Sequence, residues 1–510
     1  MSRATISTGS IPLYQDKNST AKRTPPAASG ADPLHILIMA NFSGRHGTGV
    51  NPVSTGKCIE VDRDNFDDVF SALNVQFASS LTEEPICFNE LDDMHPDFIY
   101  ERMPLFAKFR GLKHRLKDRN KFDAAAQEIM GWSEDLAPAT SSDPATATAT
   151  ATSTDQTAGY GDSLLDSILA QAPTPSGPNY DIEQLVKSIV APFVQPKADP
   201  RQKEMLAVVD EAVSDLMRKI MHHSRFQALE SSWRALYQLT KKLETDNRLK
   251  VFILDTDLEA VIEDAGTSET LEASQLYKKI VSERQTEGGT PFRVILADYT
   301  FQPRADHLAA ATHCIHLAQS SGGTLLSSAS PAWAGCDSLN RTPDPDDWQS
   351  LPENDVMASW QQVRAMPGSE HAAFYAVRHM LRLPYGKRTA PTREFEFEEL
   401  PANNAHNYYL WGSGAWLGAL MIAEQYSQSG WQIQTDAVGQ IDGFPMHVYT
   451  EDGETVTTPC AEIYLTDAAS KRLHDAGLAV LRSIQNKDSI IIPGINSIKP
   501  NTSLHGGWTR

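Results

Sequence analysis

A run of alternating alanine and threonine, Pro144-Ala145-Thr146-Ala147-Thr148-Ala149-Thr150-Ala151-Thr152, divides this chain. Side chains so small cannot offset the entropy of ordering a backbone, and the composition stays biased from Ser133 to about Asp162. The run therefore predicts a linker. About 30 residues of flexible chain span roughly 30 Å root-mean-square, which lets two folded pieces find each other. The partition expected is a disordered segment at 1–32, a small α/β domain at 33–132, a flexible linker at 133–179 and a larger α/β domain at 180–510. Within the linker, 162–171 reads as a short amphipathic helix.

The first piece opens on an apolar run, His35-Ile36-Leu37-Ile38-Met39-Ala40, followed by Asn41-Phe42-Ser43-Gly44-Arg45. This predicts a buried strand entering a turn. Ile59-Glu60-Val61-Asp62 precedes Asp64 to Phe70, where acidic residues in a first turn predict a capped helix start. A second strand is expected at Glu84 to Phe88, and a helix from Asp97 to Leu116 ending in a basic patch.

The second piece begins with two amphipathic helices. Met205, Val208, Val209, Ala212, Val213, Leu216, Met217 and Ile220 fall at three-and-four spacing, as do Phe226, Leu229, Trp233, Leu236 and Leu243. Strand and helix then alternate: strands at Val251–Asp255, Phe292–Tyr299 and Thr324–Ser328, with Leu258–Ser282 mostly helix and a helix over Asp306–Gln319. That rhythm predicts a mostly parallel sheet with flanking helices.

With 510 residues and a formal net charge of −20, the chain lacks the basic footprint of a nucleic-acid binder. No stretch of about 18 apolar residues is present to insert into a membrane. Five scattered cysteines (Cys58, Cys87, Cys314, Cys336, Cys460) fit reduced thiols and a cytoplasmic location. Chemistry-bearing patterns are weak. Gly44, Gly47 and Gly49 are not followed by the Gly-Lys-Ser/Thr of a phosphate loop. Gly412-Ser413-Gly414-Ala415-Trp416-Leu417-Gly418 misses dinucleotide spacing and predicts close helix packing instead. His313, Cys314 and His316 suggest a metal only faintly, because Cys314 leaves the shared helix face. His222-His223 reads as a favourable contact at a helix end. Glu396, Glu398 and Glu399 among Phe395 and Phe397 read as a half-exposed strand, polar on one side. No catalytic, cofactor or metal site is expected.

These segments resemble the two subunits of the type VI secretion contractile sheath. Ile36 to Arg45 and Ile59 to Phe70 (IEVDRDNFDDVF) resemble the small subunit, the TssB/VipA family. Phe226-Gln227-Ala228-Leu229-Glu230-Ser231-Ser232-Trp233-Arg234 resembles the large subunit, the TssC/VipB family. So do Trp360 with Arg364, Leu381-Arg382-Leu383-Pro384-Tyr385-Gly386, Phe395 to Glu399, Tyr409 to Gly412, Gly430-Trp431 and Asn496-Ser497-Ile498-Lys499-Pro500. The resemblance implies a fused protomer, with a small α/β N-terminal domain docked on a larger α/β sheath domain, and no enzyme. Implied partners are other sheath protomers, an Hcp-type inner tube, baseplate components and a ClpV-type AAA+ ATPase. Leu164, Leu165, Ile168 and Leu169 would form the apolar stripe that the ATPase reads. Trp233, Trp360, Trp411 and Trp431 are expected in the core. The polar Met1–Ser29 and the short stretch after Pro500 stand where such subunits carry exchange arms. A non-polymerising cap, nucleator or adaptor is thus the alternative, and a soluble α/β enzyme a further one.

Overall fold

The computed structural model describes residues 28–30, 32–45, 56–79, 84–118, 120–134, 202–286, 289–349, 354–401, 405–451 and 453–509. Its centre is a seven-stranded sheet. The strand order is Leu478–Ala479, Ala372–Tyr375, Thr324–Ala329, Phe292–Phe301, β1 (Leu34–Ala40), Leu249–Asp255 and β2 (Ile59–Val61). All neighbours are parallel except β2, which runs antiparallel at the edge. The expected parallel sheet is present, with a composite origin. β1 comes from the first segment and fills the middle of a sheet otherwise supplied largely by the second.

The physical reason lies in β1 itself. Leu34, Ile36, Leu37, Ile38 and Met39 are all fully buried. A strand apolar on both faces needs sheet neighbours and covering layers on both sides, the condition of an internal parallel strand. Among the described residues the first segment contains no second strand long enough to supply them; β2 has three residues, and Gln76–Phe77 and Ile86–Cys87 have two each. β1 is instead ladder-bonded to Leu249–Asp255, with Ile36 beside Val251 and Ile38 beside Ile253. On its other side Ile36 meets Val294 and Ile38 meets Leu296, after a bulge at His35/Ile36.

Helices Ala305–Ser321 and Ala415–Ser429 pack on this sheet. The second of these needs its glycines. A Cβ on Gly414 would lie 2.6 Å from the Val377 carbonyl oxygen, and one on Gly418 would lie 2.4 Å from Tyr375 Oη. The Gly-Ser-Gly motif therefore serves close packing, as its spacing suggested.

Three local readings change. Asn65 occupies the N-cap of helix Phe66–Ala72 without capping it through its side chain. The turn is held by Asp62, whose Oδ1 accepts from the backbone N–H groups of Asp64 and Asn65 at 2.9 Å each. The helix expected over Asp97–Leu116 is two, Pro96–Arg102 and Pro104–Lys117. Pro104 forces Met103 into an extended conformation (φ −70°, ψ 129°). A further helix, Phe122–Glu134, follows.

The chain forms two compact units: Ser80–Glu84 with Tyr100–Lys219, and the remainder. Their boundary does not follow the linker. In the smaller unit, Lys113 Nζ of the first segment pairs with Asp210 Oδ1 of the second at 2.7 Å. Helix Pro104–Lys117 also packs on Phe122–Glu134, where Arg115 Nη1 meets Glu128 Oε2 at 2.6 Å. Both units therefore contain residues from both segments.

Candidate functional site

Two clusters in the larger unit join the sequence motifs, and both centre on helix Ser224–Lys242. The first is the seam with the opening segment. The indole of Trp233 is fully buried and donates from Nε1 to the Phe42 carbonyl at 2.8 Å. Its ring meets Phe42, Phe66 and Phe70 at centroid distances of 5.1, 5.6 and 4.4 Å. Beside it the Ser43 N–H donates to Asp255 Oδ1 at 2.9 Å. Gly44 turns the chain at φ +71°, where a Cβ would lie 1.9 Å from the Gln76 carbonyl oxygen. Only glycine fits there, so the Phe-Ser-Gly turn is a packing device. Gly47 and Gly49 lie outside the described residues.

The second cluster is a buried ion-pair network. Glu230 Oε1 accepts from Arg234 Nε at 2.7 Å and from Arg382 Nε at 2.8 Å. Arg382 extends its other edge to Glu399, with Nη1 to Oε2 at 2.7 Å and Nη2 to Oε1 at 2.8 Å. Glu399 also accepts the Tyr385 N–H at 2.7 Å, and its Oε1 lies 3.3 Å from His222 Nε2. The Arg382 guanidinium stacks over the Tyr385 ring at 4.3 Å, and Arg234 Nη2 donates to the Tyr385 hydroxyl at 3.2 Å. The L-E-x-x-W-R, L-R-L-P-Y-G and F-E-F-E-E elements thus meet at one point. The first segment reaches it too: the His95 ring packs edge-on to Tyr385 at 4.7 Å. The Asp97 carboxylate accepts from the N–H groups of Arg393 and Glu394 at 3.1 and 3.2 Å.

Charges inside a protein are costly unless matched. Burial by itself would raise the Glu399 carboxyl; the Arg382 charge, with hydrogen bonds from His222 and Arg382, outweighs it and holds the group at about 2. Glu230 is lowered likewise, its burial overcome by Arg382 and Arg234. A similar pair lies nearby, where Glu462 is held at about 2 against burial by Arg378 and His406.

Glu399 corrects the reading of Glu396, Glu398 and Glu399 as one polar side. Residues 395–399 form no sheet ladder but alternate as expected, with Phe395, Phe397 and Glu399 inward and Glu396 and Glu398 outward. His222 and His223 differ from expectation as well. His222 faces Glu399, while His223 Nδ1 accepts from the Arg225 N–H at 3.3 Å and caps the N-terminus of the next helix. That role requires an unprotonated Nδ1 rather than a positive charge.

Of the faint metal candidates, His313 pairs with Asp264 (Nε2 to Oδ2, 3.4 Å) and Cys314 is buried apart. Glu370, His371 and His505 bring one ligand atom each to within 4.8 Å of one another. Lys499 Nζ already supplies positive charge there, 2.9 Å from Glu370 Oε2. Trp233, Trp360, Trp411 and Trp431 are all buried. Leu164, Leu165, Ile168 and Leu169 lie outside the described residues. Among the described residues, no helix is long and apolar enough to cross a membrane.

The motifs lie on internal seams and matched charges, in a fold assembled from two interlocked segments. Comparison with known families gives the class. Residues 203–499 match the VipB model, a tail sheath N-terminal domain, and residues 31–130 match the VipA model of the type VI secretion system. The chain belongs to the VipB sheath family and carries a VipA domain in the same polypeptide, a fusion of small and large sheath subunits. It is similar to the type VI secretion system sheath protein TssC1 of Pseudomonas aeruginosa, with 28% identity over 306 residues. The match covers 58% of this chain and 61% of that relative's length.

Proposed function

We propose that the chain is a protomer of a type VI secretion contractile sheath, both subunit types in one polypeptide, that drives an inner tube by contraction. The observation that carries this reading is β1: the VipA segment provides an interior strand of the VipB segment's sheet. A covalent link holds such pieces at one-to-one ratio and at high effective concentration. Contraction is rigid-body rearrangement between packed units, which calls for protomers that keep their internal register under load. Buried ion pairs spanning three chain segments suit that demand.

On this reading the work is mechanical and cytoplasmic, with no catalysed reaction, cofactor, nucleic acid or membrane insertion. The domain limits are 33–132 and 180–510, joined through 133–179. The partners are other sheath protomers, an Hcp-type inner tube, baseplate components and a ClpV-type AAA+ ATPase, the last through Leu164, Leu165, Ile168 and Leu169. Electron microscopy of the purified full chain, alone and with the tube protein, tests the central claim. Long hollow tubes support it; discrete particles under every condition favour a cap, nucleator or adaptor instead. A peptide spanning Gly161–Ala172 that failed to bind the ATPase N-domain would remove that partner.

A further inference from the structure

We propose that the pocket between the end of helix Asp355–Ala365 and the Asn496–Ser503 loop binds a small oxyanion of the phosphate or sulfate type, with Arg364 as its anchoring cation. Arg364 is 5% exposed. Its Nε donates to the Ile498 carbonyl at 2.8 Å and its Nη1 reaches Gln361 Oε1 at 3.4 Å, both neutral acceptors. Among the described residues no carboxylate lies within ion-pair distance of it, and Asp475, the acid whose charge acts on it from further away, is paired with Lys471 at 2.6 Å. Arg382, whose side chain is 11% exposed, is treated differently: it has Glu230 and Glu399. Arginine does not discharge itself by losing a proton inside a protein. A buried guanidinium served only by neutral oxygens is therefore a charge awaiting a counter-ion.

The place for one is adjacent. Arg364 lines a cavity of about 210 Å³ whose walls include His474, Asn496, Lys499, Thr502 and Ser503. That volume admits an ion with a few waters, each taking ~30 Å³ of liquid volume. Hydroxyl, amide, ammonium and guanidinium groups are the donors that oxyanions use, and a forked guanidinium suits two oxygens at once. Lys499 is already matched by Glu370 at 2.9 Å, so the net positive charge at the pocket is that of Arg364. Gly477 helps set the guanidinium. It adopts φ +86°, and a Cβ there would lie 2.7 Å from Arg364 Nε. The Trp360/Arg364 and S-x-x-K-P elements, far apart in sequence, are thus two walls of one anion pocket.

The test is calorimetric titration of the full chain, purified in chloride, with inorganic phosphate at constant ionic strength. The expected result is saturable one-to-one binding that sulfate competes away. Arg364→Lys keeps the charge but loses the fork and should weaken phosphate binding roughly tenfold, the worth of one hydrogen bond to a charged group. Ser503→Ala, which removes a lining hydroxyl, should weaken it about fivefold, the worth of one neutral hydrogen bond. If Arg364→Lys does not fold, Ser503→Ala decides. Absence of saturable phosphate binding to the unaltered chain overturns the proposal. So does binding that is unchanged in a folded variant, which would mark a general salt effect.

Discussion

Removing β1 from its sheet should unfold the larger unit. Five β1 side chains (Leu34, Ile36, Leu37, Ile38 and Met39) are fully buried. At about 1.5–3 kcal/mol each, their burial is worth roughly 8–15 kcal/mol, less a reduction of about 10–40% for burial already present in the denatured chain. The ladders to Leu249–Asp255 and Phe292–Phe301 add to this. Whole domains are stable by only about 5–15 kcal/mol, so the loss of β1 is comparable to everything that holds the fold. The assay is to produce residues 175–510 alone and together with residues 1–140. Alone, the larger fragment should aggregate or show no cooperative melt. Together, the fragments should copurify, melt cooperatively and fall apart on dilution, whereas the intact chain should not. A fragment 175–510 that melts sharply by itself, with the near-ultraviolet tryptophan spectrum of the full chain, would refute the reasoning.

Arg382→Gln strips the shared counter-charge from Glu230 and Glu399, both essentially inaccessible. Stability should fall by about 3–5 kcal/mol, read from urea midpoints, and Glu230→Gln combined with it should cost less than the sum. Acid should destabilise the fold in two ranges. His35 is lowered to about 4 by burial, then Arg284 and Lys250, and His379 to about 4 by burial. Between pH ~6.5 and ~4 the unfolded chain binds these protons and the folded chain does not, so stability falls as pH falls. Glu399 and Glu462, held at about 2, stabilise above their ordinary values, and that stability is lost between pH ~4.5 and ~2. Urea midpoints across pH should show both losses, and His35→Gln should shrink the first alone. Gly418→Ala places a methyl 2.4 Å from the buried Tyr375 hydroxyl and should cost about 1–3 kcal/mol in thermal unfolding.

The elements themselves were legible because each rests on local patterning. The three-and-four stripes of Met205–Ile220 and Phe226–Leu243 became helices Gln202–Met221 and Ser224–Lys242. Their pairing was not legible. β1 announces that it is internal by being apolar at every position except His35, but nothing in its own residues names Leu249–Asp255 and Phe292–Phe301 as its neighbours. Glu399 is the opposite case, where the signal was present and misassigned. Residues 395, 397 and 399 share one face of an extended chain, so the two phenylalanines already pointed Glu399 inward. Its partners, 177 and 17 residues away at His222 and Arg382, are set by tertiary packing and leave no periodic trace. The break at Pro104 was a local signal as well, since a proline in a helical run pushes the preceding residue out of helix.

How β1 keeps its register follows from the same burial. In most strands a slip of one residue turns the apolar face outward, and this penalty fixes alignment. β1 is apolar on both faces except at His35, so such a slip would still bury hydrophobic side chains and the usual penalty is weak. Alignment must come from polar contacts at its end, and three are present. The Thr256 N–H donates to the Ala40 carbonyl at 2.9 Å, the Trp233 indole to the Phe42 carbonyl at 2.8 Å, and the Ser43 N–H to Asp255 Oδ1 at 2.9 Å. A slip of one residue breaks all three and leaves a buried indole donor and a carboxylate unsatisfied, at about 1–3 kcal/mol or more each. The Phe-Ser-Gly turn and the Trp of the Leu-Glu-x-x-Trp-Arg helix are therefore two halves of one lock. A protein built by threading a strand from one segment between two of another has its register set there.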